Sequence, residues 1–247
     1  AASDKFGNSV SIDGDYAIVG ARQNDDGGTS SGSAYIFNRN DNDDWEQQDK
    51  IIATDDVARD EFGWSVSIDG DYAIVGAHQN DDRGDESGSA YIFKRNDNDD
   101  WEQQDKIIAS DGAEDDFFGY GVSISGDYAV VGARGEDDGG SLSGSAYIFK
   151  RDGTSWSQQP KLTATDAASN DQFGYSVAID DDYAIVGATY DSDEASQSGS
   201  AYVYKIDYPV IVSTSQATDN STVTVTFSKE VYSTSGGSGA LDESDFV

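Results

Sequence analysis

The chain has 247 residues and a formal net charge of −33, from 48 acidic and 15 basic side chains. That balance argues against nucleic acid as a partner, because phosphate binding needs a basic footprint, and against anionic membrane surfaces, while it favours solubility and divalent cations. Cys and Met are absent, which excludes disulfides and thiol chemistry; no apolar run approaches the roughly 20 residues of a membrane span.

The elements repeat. FGNSVSIDGDYAIVGA begins at Phe6, and close copies begin at Phe62, Phe118 and Phe173, at steps of 56, 56 and 55 residues. A fixed period of this size means one structural unit built over and over. Within the first unit, NSVSI at 8–12 alternates apolar and polar residues, as in a strand with one buried face. YAIVGA at 16–21 is a nearly continuous apolar run, the pattern of a strand covered on both sides. Asp13-Gly14 between them is a hairpin signal, repeated at Asp69-Gly70 and more weakly at Ser125-Gly126 and Asp180-Asp181. SAYIF at 33–37, always preceded by Gly, predicts the third strand, and WEQQDKIIA at 45–53 the fourth. Helical periodicity is missing throughout.

Four antiparallel strands in a unit of this length predict an all-β fold, a β-propeller blade. A lone sheet cannot bury both faces, so blades must stack into one continuous core. The small residues Gly20, Ala21, Gly76, Ala77, Gly132, Ala133, Gly187 and Ala188 then belong where blades crowd together, and the Phe of each FG fills the space between neighbours. From Pro209 the pattern changes to VIVSTS and STVTVTFS, strictly alternating strands. The expected boundaries are blades over 1–207 and a separate β segment over 208–247.

The pairing of FG with VGA some 13 residues later resembles the FG-GAP repeat. The resemblance implies a propeller, commonly of seven blades, and a role in adhesion or surface display. The calcium loop often found between the first two strands of that family is not matched: IDGDY at 12–16 is a tight turn with too few oxygens, so the family's ligands do not carry over. The last 39 residues resemble the opening of bacterial immunoglobulin-like modules, which take about 100 residues to close.

Four FG units face only three Trp strands, at Trp45, Trp101 and Trp156. Both ends read as cut relative to the repeat. Three options follow: four blades with an unusual outer strand, a piece of something larger, or an edge completed by another subunit, since an uncovered sheet edge pairs readily.

Acidic loops supply the candidate metal sites. Asp41, Asp43 and Asp44 precede Trp45, and Asp97, Asp99 and Asp100 precede Trp101. Calcium takes about six to eight oxygens, which loops rich in Asp, Asn and Ser can offer; the competing reading is solvated loop charge. The third unit reads DGTS at 152–155, so such a site would occur twice. Asp25-Asp26, Asp81-Asp82, Asp137-Asp138 and Asp191/Asp193 form a second series of acid pairs. Arg83-Gly84-Asp85 spells an adhesion tripeptide that short chance matches also produce. Asn220-Ser221-Thr222 is a glycosylation sequon. The one His, His78, is replaced by Arg22, Arg134 and Thr189 in the other units, which argues against a general base.

These features together predict a non-enzymatic extracellular or cell-surface protein acting in adhesion or as a structural, fibre-forming subunit. Its expected partners are further copies of itself, other surface proteins or glycans; the expected cofactor, if any, is calcium. The alternative is a carbohydrate- or protein-binding propeller module of a larger secreted protein or enzyme.

Overall fold

The computed structural model describes residues 3–193, 195–206, 211–216 and 223–227, and contains no helix among them. The chain divides into two compact units, Ala1–Tyr204 and Lys205–Val247. The first unit holds four sheets in sequence order. Blade one is β1 (Phe6–Asp13), β2 (Tyr16–Ala21), β3 (Ser33–Arg39) and β4 (Trp45–Ile51). Blade two is β5 (Ser65–Asp69), β6 (Tyr72–Ala77), β7 (Ser89–Arg95) and β8 (Trp101–Ile107). Blade three is β9 (Phe118–Ser125), β10 (Tyr128–Ala133), β11 (Ser145–Asp152) and β12 (Ser155–Gln158). Blade four has three strands among the described residues, β13 (Phe173–Asp180), β14 (Tyr183–Ala188) and β15 (Ser200–Lys205), and no Trp follows them. The second unit contains one described hairpin, β16 (Ile211–Gln216) with β17 (Val223–Phe227). The rest of the expected immunoglobulin-like stretch lies outside the described residues.

Each of the first three blades is an antiparallel meander, the architecture of β-propeller blades. The hairpin turn sits one residue later than Asp13-Gly14. Asp13 pairs with Tyr16, so the two-residue loop is Gly14-Asp15. Only its first residue needs positive φ: Gly14 at 52°, Gly70 at 55° and Gly126 at 55°. In blade four Asp181 takes that place at φ 48°, which short polar side chains tolerate best after glycine.

The core lies between blades. One face of blade one (Ile18, Ala34, Ile36, Ile51) packs on Phe62, Val66, Val75 and Tyr91 of blade two. The equivalent face of blade two (Ile74, Ala90, Ile92, Ile107) packs on Phe118, Val122, Val131 and Tyr147 of blade three. Each blade therefore has a forward and a backward face, and every junction uses the same pair. The glycine reading holds at these junctions. A Cβ on Gly20, Gly76 or Gly132 would overlap the carbonyl oxygen of Gly63, Gly119 or Gly174 in the next blade.

The innermost strands are β1, β5, β9 and β13, and side chains zip them together. Val66 N–H donates to Ser9 Oγ at 3.0 Å and Ile68 N–H to Ser11 Oγ at 3.2 Å. Ile124 N–H donates to Ser67 Oγ at 3.2 Å, and Ile179 N–H to Ser123 Oγ at 3.1 Å. The inner strand of each following blade thus has its otherwise open edge satisfied by its neighbour's hydroxyls.

Candidate functional site

The meander places two kinds of connection on opposite rims. The Gly14-type turns and the turns before each Trp share one rim. The longer loops 22–32, 78–88, 134–144 and 189–199, with 52–61, 108–117 and 163–172, share the other. The long-loop rim carries the buried polar chemistry.

Its loops are built around one repeated position. Asn24 Oδ1 accepts from Asp26 N–H at 3.2 Å and from the Ser33 hydroxyl at 2.9 Å. Asn80 does the same with Asp82 N–H at 3.3 Å and Ser89 at 2.8 Å. These side chains turn the loop by mimicking backbone. A lysine from the Trp strand then enters each loop. Lys50 Nζ pairs with Asp26. Lys106 Nζ lies 2.6 Å from Asp55 Oδ2 and 2.5 Å from Asp82 Oδ2. Lys161 Nζ lies 2.8 Å from Asp111 Oδ2, 2.9 Å from Glu136 Oε1 and 2.5 Å from Asp138 Oδ2.

Among the described residues, Asp111, Glu136 and Asp138 are the one acidic trio whose ligand atoms lie within 4.8 Å of one another. An all-carboxylate donor set is of the type that holds a hard cation. The Lys161 ammonium, however, contacts all three carboxylates, so a metal ion would have to displace it. Burial works against the lysine's charge, but the hydrogen bonds it donates to Asp111, Asp138 and Glu136 outweigh it and hold the amine protonated. Next to these clusters sit buried carboxyls at a repeated position. Burial pushes Asp60 up to about 6 against the hydrogen bond donated by Asn80 Nδ2. Burial likewise pushes Asp116 up to about 6, against a 2.7 Å hydrogen bond from Ala113 N–H.

The same rim carries a row of rings. Trp64 and Tyr120 have centroids 5.0 Å apart, Tyr120 and Tyr175 4.9 Å, and Tyr175 and Tyr190 6.4 Å. Each of the first three follows an FG pair, so the repeat itself aligns them. Arg22 lies over Trp64 at 4.6 Å and Arg134 over Tyr120 at 4.5 Å. His78 is buried beneath this row, with its ring 4.1 Å from Trp64. Burial, then the charges of Arg134 and Arg22, push its imidazole down to about 3. It is a neutral packing ring at physiological pH.

The sequence candidates Asp41, Asp43, Asp44, Asp97, Asp99 and Asp100 lie on the opposite, turn-bearing rim. Asn40 Oδ1 accepts from Asn42 N–H at 2.9 Å and Asp44 N–H at 3.1 Å, and Asn96 repeats this with Asn98 and Asp100. Asp43 pairs with Arg39 at 3.0 Å and Asp99 with Arg95 at 2.6 Å. The six carboxylates are exposed and are not brought into one cluster. The tripeptide Arg83-Gly84-Asp85 forms a loop tip whose Asp85 carbonyl accepts from Asp115 N–H at 2.9 Å. Asn220 lies outside the described residues. The lysines were not singled out from sequence, although Lys50, Lys106 and Lys161 each stand five residues after their Trp. The aromatic row was also missed, though its signal is the residue after each FG.

Comparison with protein families matches the FG-GAP repeat over residues 1–37, 45–93, 101–149 and 156–204. The chain belongs to the FG-GAP repeat family. Each matched FG-GAP segment takes in the first three strands of one blade, and the second, third and fourth matches begin at Trp45, Trp101 and Trp156 in the outer strand of the blade before, so the family's unit is offset from the blade by one strand. A solved structure of a protein from Lactobacillus plantarum is similar at 13% identity and a TM-score of 0.49, over 89% of this chain and 63% of that one. The FG-GAP chain thus spans less than two thirds of that protein's length. No curated protein matches it. No helix among the described residues is long and apolar enough to cross a membrane.

Proposed function

We propose that this FG-GAP chain is a non-enzymatic, extracellular or cell-surface repeat protein, a structural or adhesive subunit that associates with further copies of itself. One observation carries the reading: apolar side chains stay exposed at both ends of the blade series, Phe6, Val10, Ile12 and Trp45 on blade one and Tyr183, Ile185 and Val203 on blade four. Exposed apolar patches of this kind mark interaction surfaces. The rim chemistry supports the same view, because Lys50, Lys106, Lys161 and the buried Asp60 and Asp116 recur with the repeat and engage the protein itself. Calcium enters the proposal only at the Asp111, Glu136 and Asp138 trio, where it would have to displace Lys161. Sedimentation of the chain over a range of concentrations, with and without a chelator, tests the reading. Concentration-dependent growth supports it, and a monomer at every concentration refutes it.

The aromatic row favours a second reading, a carbohydrate- or protein-binding module. Trp64, Tyr120 and Tyr175 offer partly exposed ring faces next to Arg22 and Arg134, the mixture of apolar surface and few polar groups that ligand sites use. Retention of a glycan by the wild type but not by Trp64→Ala or Tyr120→Ala supports this reading; equal signals from all three refute it.

A further inference from the structure

The two exposed ends are not generic apolar patches. They are the two halves of the junction that this chain already makes three times. We propose that the forward face of blade four docks onto the backward face of blade one in a second copy, and that two such contacts close a ring of two chains. This inference rests on the self-association reading and names its surface and partner.

The side chains at the free ends hold the same register as those buried between blades. On the backward face, Phe62, Phe118 and Phe173 are fully buried by the preceding blade, while Phe6 is 56% exposed. Val66 and Ile68 are buried, while Val10 and Ile12 are each 66% exposed. On the forward face, Ile18, Ile74 and Val130 are fully buried, while Ile185 is 44% exposed. Ile36, Ile92 and Ile148 are buried, while Val203 is 66% exposed. The sequence keeps junction residues at both ends with nothing among the described residues covering them.

The polar groups match as well. At the first junction Ser9, Ser11 and Asp13 of one inner strand accept from the N–H groups of Val66, Ile68 and Gly70. At the free ends the corresponding acceptors are Ser176 and Asp180, and the corresponding donors are the N–H groups of Val10 and Gly14. The middle acceptor is lost, because Ala178 replaces serine. Tyr16 and Tyr72 accept hydrogen bonds from Arg95 and Arg151 and lie edge-on to Trp101 and Trp156. The free forward face offers Tyr183, and the free backward face offers Arg39 and Trp45 for the same two contacts.

The close approach of backbone is also preserved. Gly63, Gly119 and Gly174 each lie against the Ser33, Ser89 or Ser145 carbonyl of the preceding blade, whereas Gly7 has nothing within 4 Å of the Cβ direction. Gly187 stands where Gly20, Gly76 and Gly132 admit the next carbonyl. An apolar ligand or an unrelated protein face has no use for this alignment. A blade face does, and a second copy supplies one of each kind. The contact is head-to-tail, so it runs on as a filament unless the rotation closes. Propellers close with about four to eight blades, and two copies of a four-blade unit reach the upper end of that range.

The test is sedimentation equilibrium of the whole 247-residue chain in about 1 M salt, where the Debye length of about 3 Å screens the repulsion between two acidic copies. A discrete species of twice 26.3 kDa is expected. Val203→Asp and Val10→Asp each place a charge on one exposed face without touching the core, and near-ultraviolet circular dichroism checks that both remain folded. Each variant alone should lose association by at least about 100-fold. Mixing the two should restore a one-to-one complex, because each retains the face the other lacks. If the wild type associates and either variant still does so alone, face-to-face docking is overturned and the broader self-association reading stands. If the variants lose association and their mixture stays monomeric, the head-to-tail contact is overturned. If the wild type is monomeric throughout, both readings fall.

Discussion

Gly76→Ala probes the blade junction with a single methyl. Gly76 has an ordinary negative φ, so alanine brings no backbone penalty there; the cost is steric. The new Cβ would overlap the Gly119 carbonyl oxygen and sit 3.0 Å from its carbon, both fixed backbone atoms of the next blade. Relief requires opening the junction by on the order of 1 Å, a gap that forfeits a quarter to a half of each dispersion contact it spans. The junction behind it holds Phe118, Ile74, Ile92 and Tyr147. Overpacking of this kind costs about 1–3 kcal/mol, and the rigid partner places it near the top of that range. For a unit of this size each kcal/mol lowers Tm by about 2–4 °C, so a drop of about 6–12 °C is expected by calorimetry. Gly126→Ala is the control: its Cβ meets nothing within 4 Å, and only the φ of 55° opposes it, at about 1 kcal/mol. A Gly76→Ala protein melting within about 2 °C of wild type, or no lower than Gly126→Ala, would refute face-to-face packing at this point.

Three further substitutions address the long-loop rim. His78 is held down to about 3 by burial and by Arg134 and Arg22; the unfolded chain binds a proton that the folded chain refuses, so stability falls as pH drops from 6.5 towards 3. Replacing it with Phe should remove that loss, up to about 4 kcal/mol by linkage, read as the difference between the two pH–stability curves by urea titration. Asp60 has the opposite sign: burial raises it to about 6, so the folded chain gains relative stability as pH falls from 6 to 3.8, and Asp60→Asn should abolish that gain in the same titration. Lys161→Ala leaves Asp111, Glu136 and Asp138 facing one another; with only Glu136 buried and the other two exposed to screening water, a loss of about 1 kcal/mol is expected. Millimolar calcium should raise the Tm of Lys161→Ala and leave wild type within about 1 °C. Equal responses would show that the lysine does not occupy the cation position.

The repeat made the fold legible because it displays the same strand pattern four times, and periodicity of that kind leaves few architectures open. Phe62, Phe118 and Phe173 went where the FG motif places them, and the small residues of VGA face the next blade's backbone. The turn at Gly14-Asp15 was misplaced by one residue because sequence gives the turn chemistry but not the pairing register, which Tyr16 opposite Asp13 fixes. The exposure of Phe6 could not be read from its motif, since burial there depends on a preceding blade and not on the residue. The site was less legible still. Asp43 and Asp99 look like ligands in one dimension, yet each is answered by an arginine four residues earlier. The trio that does converge, Asp111, Glu136 and Asp138, comes from two loops 25 and more residues apart. Its organiser, Lys161, comes from a third segment.

Neighbouring inner strands are joined by side-chain acceptors across each junction. Amide hydrogen exchange at Ile68, Ile124 and Ile179 tests this joining most directly, since their N–H groups point away from their own sheet partners and bond Ser11, Ser67 and Ser123 of the adjacent blade. Protection approaching that of the fully paired central strands β6 and β10 is the expected result. Exchange at the rate of an open strand edge would contradict it.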